Sequence, residues 1–169
     1  MVPWGNAYCE TELCPSSTPG SYEVSVRQCW DKKCSATEAS CFDLSKQICQ
    51  HGVDECLGNR IEGCVMELYP DSHDWWPFIL CFEGVSESEV AAAPRCAAHA
   101  GLDWKKIDAC VSGTLGDIVD TKNAKRTTTA PHAGCPWVIL NGTPMEDPSK
   151  LLQSVCQAYQ GTLPAGCHK

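Results

Sequence analysis

Fourteen cysteines lie between Cys9 and Cys167 of a 169-residue chain, and they limit its possible folds more than any other feature. At about 8% of the residues they exceed cytosolic usage and approach that of a disulfide scaffold. Their even number permits complete pairing, although spacing alone leaves the connectivity open. Cys49, Cys56 and Cys64 are separated by seven and eight residues. Leu57, Ile61, Cys64, Val65 and Leu68 follow helical spacing, which sets Cys64 among buried apolar side chains. If that helix ran unbroken from Cys49, a rise of about 10 Å over seven residues would exceed the roughly 7 Å reach of a disulfide. On that footing Cys49, Cys56 and Cys64 each join a different distant segment. A break at Gly52 or Gly58 would relax the restriction.

Thirteen basic against twenty-one acidic residues give a formal charge of −8. A nucleic-acid footprint would be basic, so that class of partner is excluded. No apolar run approaches the roughly 20 residues of a membrane-spanning helix. Met1-Val2-Pro3-Trp4-Gly5-Asn6 has neither the basic start nor the apolar core of a signal peptide. One domain over residues 1–169 is the natural count at this length.

Residues 2–7 read as the end of a strand. A cysteine-rich segment, residues 8–40, follows. Its C-x4-C-x14-C-x4-C pattern of Cys9, Cys14, Cys29 and Cys34 is wider than usual zinc-ligand gaps. The expectation is a surface excursion stapled by its own disulfides, with no metal, and a short strand over residues 22–27. Helices are expected over residues 45–69, 71–83 with Ser72 or Asp74 as cap and Pro77 in its first turn, from the capping pair Ser86…Glu89 to His99, from Asp103 to before Gly113, and over 115–125. A polar linker covers residues 126–134. The pattern then turns extended: a hairpin over residues 137–145 on the type I′ pair Asn141-Gly142. A last helix is capped by Asp147 with Pro148 at its first position, and Leu151, Leu152, Val155, Cys156 and Tyr159 form its buried stripe.

Cys49-Gln50-His51-Gly52-Val53-Asp54-Glu55-Cys56, followed by Asn59 and Cys64, resembles the C-Q-H-G-x-x-E-C-x-x-N-x-x-x-x-C signature of the gamma-interferon-inducible lysosomal thiol reductase family at every fixed position. Val2-Pro3-Trp4-Gly5-Asn6-Ala7 is similar to the family's V-P-[YF]-G-N-A. Pro136-Trp137-Val138-Ile139-Leu140-Asn141-Gly142 resembles its P-W-V-x-x-N-G hairpin, and Cys156-Gln157-Ala158-Tyr159-Gln160-Gly161 its C-x-x-Y-x-G ending. The resemblance implies an α/β, thioredoxin-like fold with a helical insertion, rich in disulfides. It implies thiol–disulfide exchange on disulfide-containing proteins at acidic pH, no organic cofactor, and a lysosomal or secreted location.

The family places a first strand and a C-x-x-C helix upstream of V-P-x-G-N-A. No two of the fourteen cysteines have C-x-x-C spacing. The expectation is that the first strand and helix are missing here and that the natural protein starts upstream of Met1. Two residues are weak catalytic candidates. Cys135 precedes Pro136, the counterpart of the family's substrate-loop proline, which is usually cis; a structural disulfide with an extra cysteine is the competing role. Cys14 falls in Tyr8-Cys9-Glu10-Thr11-Glu12-Leu13-Cys14-Pro15-Ser16-Ser17, a faint echo of the family's Y-E-[ST]-L-C-P-x-C. There Ser17 would replace the resolving thiol, but Thr18-Pro19-Gly20 stands where a helix should begin. Cys81, Cys96, Cys110, Cys156 and Cys167 match family positions and are disulfide candidates with the three signature cysteines. His51 is expected to hold a structural hydrogen bond. Asn141-Gly142-Thr143 is a glycosylation sequon in a tight turn followed by Pro144, which lowers its occupancy. The alternative function is a non-catalytic secreted binding protein on the same scaffold.

Overall fold

The computed structural model describes residues 1–85, 89–130, 132 and 134–168. The chain divides into two compact units, residues 1–131 and 132–169. Among the described residues it is mostly helical, with two small antiparallel sheets and six disulfides.

The first unit opens with a turn where the sequence suggested a strand. Trp4 and Ala7 backbone N–H groups donate to Val2 and Trp4 carbonyls, and Gly5 adopts φ +58°. The indole N–H of buried Trp4 donates to Ala7 O at 2.8 Å, which closes the turn. The strand comes later, β1 (Tyr8–Cys9), and pairs with β2 (Gln47–Ile48) in the register Tyr8↔Ile48, Cys9↔Gln47.

Residues 22–27 are not a strand either. Helix α1 (Val24–Lys33) begins there, because Val26 and Trp30 share a buried face one turn apart and Lys32 and Lys33 suit the negative end of the helix dipole. Cys14–Cys29 and Cys34–Cys41 staple this segment. Three of the four cysteines of the wide zinc-like pattern are thereby consumed. Trp4, Tyr8, Trp30 and Phe42 form a core around these bridges, and Ala124 joins it.

Helix α2 (Val53–Leu68) starts eight residues after position 45, since the 3-10 turn Leu44–Lys46 and β2 intervene and Gly52 takes φ +98°. Cys49 therefore lies outside the helix. It bridges Cys56 with a Cα separation of 5.6 Å, so the expectation that each signature cysteine reaches a distant segment fails for this pair. Ile61, Cys64 and Val65 are buried, with Leu57 and Leu68 packed beside them.

Helix α3 (Ser72–Phe82) is capped by Asp71, which accepts from His73 N at 2.9 Å, and Pro77 accordingly falls in its second turn. Helix α4 (Glu89–His99) follows; the proposed Ser86…Glu89 capping pair lies outside the described residues. Asp103 caps α5 (Trp104–Val111). Helix α6 (Thr114–Thr128) extends into what read as a polar linker, because Asn123, Ala124 and Thr127 continue its buried face. Cys64–Cys110 ties α2 to α5, and Cys81–Cys96 ties α3 to α4.

The second unit holds β3 (Ile139–Leu140), β4 (Thr143–Pro144) and α7 (Leu151–Ala158). Asn141 at φ +50° and Gly142 at φ +82° make the tight hairpin turn. Asp147 accepts from Ser149 N in the 3-10 turn that leads into α7. The apolar stripe of α7 is not buried: Leu151, Leu152, Val155 and Tyr159 are exposed, Leu152 at 60%. No described residue of this unit is fully buried, as a segment of this size supports little core on its own. Cys156–Cys167 closes the end. No described helix is long and apolar enough to cross a membrane.

Candidate functional site

The signature residues form one cross-linked corner. Gly52 supplies the positive φ that turns the chain from β2 into α2, a conformation L side chains rarely adopt. Glu55, in the first helical turn, points back over that corner. Its Oε2 accepts from the backbone N–H of His51 at 2.6 Å and lies 2.9 Å from His51 Nδ1. This carboxylate takes the position of a helix-capping acceptor, where the N-terminal dipole favours negative charge. Cys49–Cys56 closes the same corner covalently. The Asn6 side-chain amide donates to Gln50 Oε1 at 2.7 Å, tying the N-terminal turn to the signature. A close approach lies two turns further along α2, where a Cβ on Gly63 would come 2.7 Å from Val119 Cγ1 and 3.9 Å from Pro3 Cγ.

Below this corner α2 and α6 enclose a polar cluster that sequence reasoning missed. Arg60 donates from Nη1 to Asp120 Oδ2 at 3.3 Å, and from Nη2 to Asp117 Oδ1 at 2.6 Å and to Gly113 O at 3.2 Å. Gly116 makes room, since a Cβ there would stand 2.4 Å from Arg60 Nε. Asp120 is 1% exposed. Burial pushes its carboxyl up to about 6, Arg60 opposing and Asp117 adding to the shift. Asn59 Nδ2, Arg60 Nε, Asp120 Oδ1 and Asn123 Nδ2 are buried atoms with no hydrogen-bond partner among the described residues. The available signal was the spacing of Gly116, Asp120, Asn123 and Thr127 on one face of α6.

The thiol of Cys9 is fully buried in the first core. Burial, and then the charges of Asp43 and Asp120, push it up to about 12, so it stays protonated and inert as a nucleophile at neutral or acidic pH. Cys14, joined by a disulfide to Cys29, forms an isolated β-bridge with Thr11 and heads no helix. The structure therefore does not set it up as a dipole-activated nucleophile. Cys135 is exposed, and its peptide bond to Pro136 is cis. Cys135, Pro136 and Asn141 belong to the second unit; the signature, Cys9 and Cys14 belong to the first.

A model of the family described as "Gamma interferon inducible lysosomal thiol reductase (GILT)" matches residues 30–100. A "Gamma-interferon-responsive lysosomal thiol protein" from Arabidopsis thaliana is 36% identical over 132 residues, 71% of this chain and 53% of that protein. Proteins named "Gamma-interferon-inducible lysosomal thiol reductase" from Carassius auratus and Mus musculus are each 35% identical, over 71% and 68% of this chain and 50% and 47% of their own lengths. The chain spans about half the length of the curated relatives it matches.

Proposed function

The chain belongs to the gamma-interferon-inducible lysosomal thiol reductase family, and on that premise we propose that it is part of a thiol–disulfide oxidoreductase that reduces protein disulfides at acidic pH. The carrying observation is the signature corner: Cys49–Cys56, His51 and Glu55 form one closed unit, held by Asn6–Gln50 to the V-P-W-G-N-A turn. Both family motifs thus serve one local structure. The names of two relatives, both lysosomal thiol reductases, support a lysosomal setting, with secretion as the other route compatible with six disulfides.

The fold proposed for the whole protein is thioredoxin-like, supported by the order of a helical region, a hairpin and a final helix. In that arrangement Pro136 lines the substrate loop and Cys135 neighbours the reacting thiols. The reaction needs two thiols. A thiolate attacks one sulfur of the substrate disulfide, and the other sulfur leaves and takes up a proton. A second thiolate then attacks the mixed disulfide, releasing the reduced substrate and leaving an enzyme disulfide. The pair is proposed to occupy the family position upstream of V-P-W-G-N-A. No organic cofactor takes part.

The test is insulin-disulfide reduction near pH 5, with a small thiol as electron source. The open reading frame extended upstream of Met1 in the transcript is compared with residues 1–169 alone. Activity is expected from the longer product. An upstream frame that closes in a stop codon without C-x-x-C overturns the proposal. A second reading, a non-catalytic secreted binding protein, is favoured by the stapled segment of residues 8–41 with its own aromatic core. Reduction of insulin by residues 1–169 alone would exclude it.

A further inference from the structure

We propose that the outer face of α6 is a docking groove for an acidic polypeptide segment carrying an apolar side chain. The groove is a shallow depression of about 690 Å³ between α6 and the cystine-closed loop of residues 34–41. Ile118, Lys122 and Lys125 stand at i, i+4 and i+7 on α6, with Arg126 and Thr121 beside them, and Ala36 forms the opposite wall. Three cations within little more than one helical turn contrast with a chain whose net charge is −8.

The charges are only partly used. Lys122 Nζ contacts Glu67 Oε2 at 2.6 Å, and Lys125 Nζ lies 5.5 Å from the centre of the Phe42 ring. No carboxylate of a described residue pairs with Lys125 or Arg126. The one acid lining the groove, Asp117, is held by Arg60 at 2.6 Å, which cancels much of its field. The rim therefore attracts anions. Its floor does not: Ile118 is 58% exposed and lines the groove together with Ala36 and Thr121.

That combination selects among anionic partners. A sulfated sugar would use the cations and leave Ile118 bare. A nucleic acid needs a larger basic field than three residues on an acidic chain. A peptide can set an apolar side chain on Ile118 and carboxylates against Lys125 and Arg126. From Lys122 to Thr129 the helix rises about 10 Å, the length of about three extended residues. The recognised motif is accordingly short, an apolar residue flanked by acids. The Cys34–Cys41 bridge holds the Ala36 wall in place before binding, which lowers the ordering cost. This surface does not depend on the reductase reading.

The probe is a fluorescein-labelled octapeptide of alternating glutamate and leucine, titrated by fluorescence anisotropy at pH 7 with residues 1–169. Comparisons are the same peptide with glutamine for glutamate, and a heparin hexasaccharide as competitor. Binding of the acidic peptide is expected to weaken about tenfold in Lys125→Glu/Arg126→Glu and again when salt is raised. Ile118→Ser is expected to weaken it at both salt concentrations. Arg126→Glu alone serves if the double variant loses its helical circular dichroism. No saturation with the acidic peptide, equal binding of the glutamine peptide, unchanged affinity in the charge variants or in Ile118→Ser, or a hexasaccharide that binds more tightly than the peptide would each overturn the proposal.

Discussion

Cys49 and Cys56 are bridged across the start of α2, with Cys49 outside the helix and Cys56 in its first turn. The seven-residue loop they close is short, and the chain-entropy model gives it about 2.5 kcal/mol. Cys64–Cys110 closes a 46-residue separation and the same model gives about 4 kcal/mol. Replacing each pair by alanine should therefore destabilise in that order, the Cys64/Cys110 variant more. Urea unfolding of the two variants against the parent measures it. Mass mapping of non-reduced peptides should recover Cys49 joined to Cys56; a peptide linking Cys49 elsewhere would refute the bridge.

Asp120 carries the pH dependence. Its carboxyl is raised from 3.8 to about 6, so the folded state binds its proton more tightly than the unfolded chain does. Its contribution to stability is fully present below pH 4 and is lost as pH rises through 6. A shift of about two units corresponds to roughly 3 kcal/mol at most. Thermal unfolding between pH 4.5 and 7.5 should show the parent losing stability more steeply than Asp120→Asn. Parallel pH profiles would contradict this.

Cys9 should resist alkylation. Its thiol is buried and held protonated, whereas that of Cys135 is exposed. Iodoacetamide at pH 8 should label Cys135 within minutes in the native protein and Cys9 only after urea is added, as read by peptide mass spectrometry. Equal labelling rates would show that the first core opens readily.

What the sequence revealed and concealed follows from where each pattern had a partner. The apolar spacing of Leu57, Ile61, Cys64, Val65 and Leu68 read correctly because one strong periodicity met a core of four helices. The Asn141-Gly142 turn was legible because its chemistry is local. Residues 22–27 misled because Val24 and Val26 satisfy alternation over so short a run, while Trp30 and the Cys14–Cys29 bridge settle the helix. The helix end at Gly52 needed the backbone: a glycine at φ +98° separates Cys49 from α2. The stripe of Leu151, Leu152, Val155 and Tyr159 is genuinely amphipathic, yet periodicity does not tell whether a covering surface exists. Arg60 and Asp120 escaped notice because charged residues on a helix are ordinarily solvated, and only their contact across α2 and α6 shows otherwise.

Gly63 within α2 and Gly52 just before it separate backbone strain from crowding. Gly63 has helical backbone, but an added Cβ would lie 2.7 Å from Val119 Cγ1 and 3.1 Å from Asn123 Nδ2. Overpacking of that kind costs about 1–3 kcal/mol, against a gain of about 1 kcal/mol in helix propensity. Gly52 is the reverse case, with open space around it and φ +98°. There alanine meets no neighbour and still costs about 1 kcal/mol or more through its backbone. Both alanine variants should be destabilised in urea. Only Gly63→Ala should be rescued by Val119→Ala, which removes the methyl group in the way. Rescue of Gly52→Ala by Val119→Ala, or its absence for Gly63→Ala, would place the close approach of α2 and α6 elsewhere.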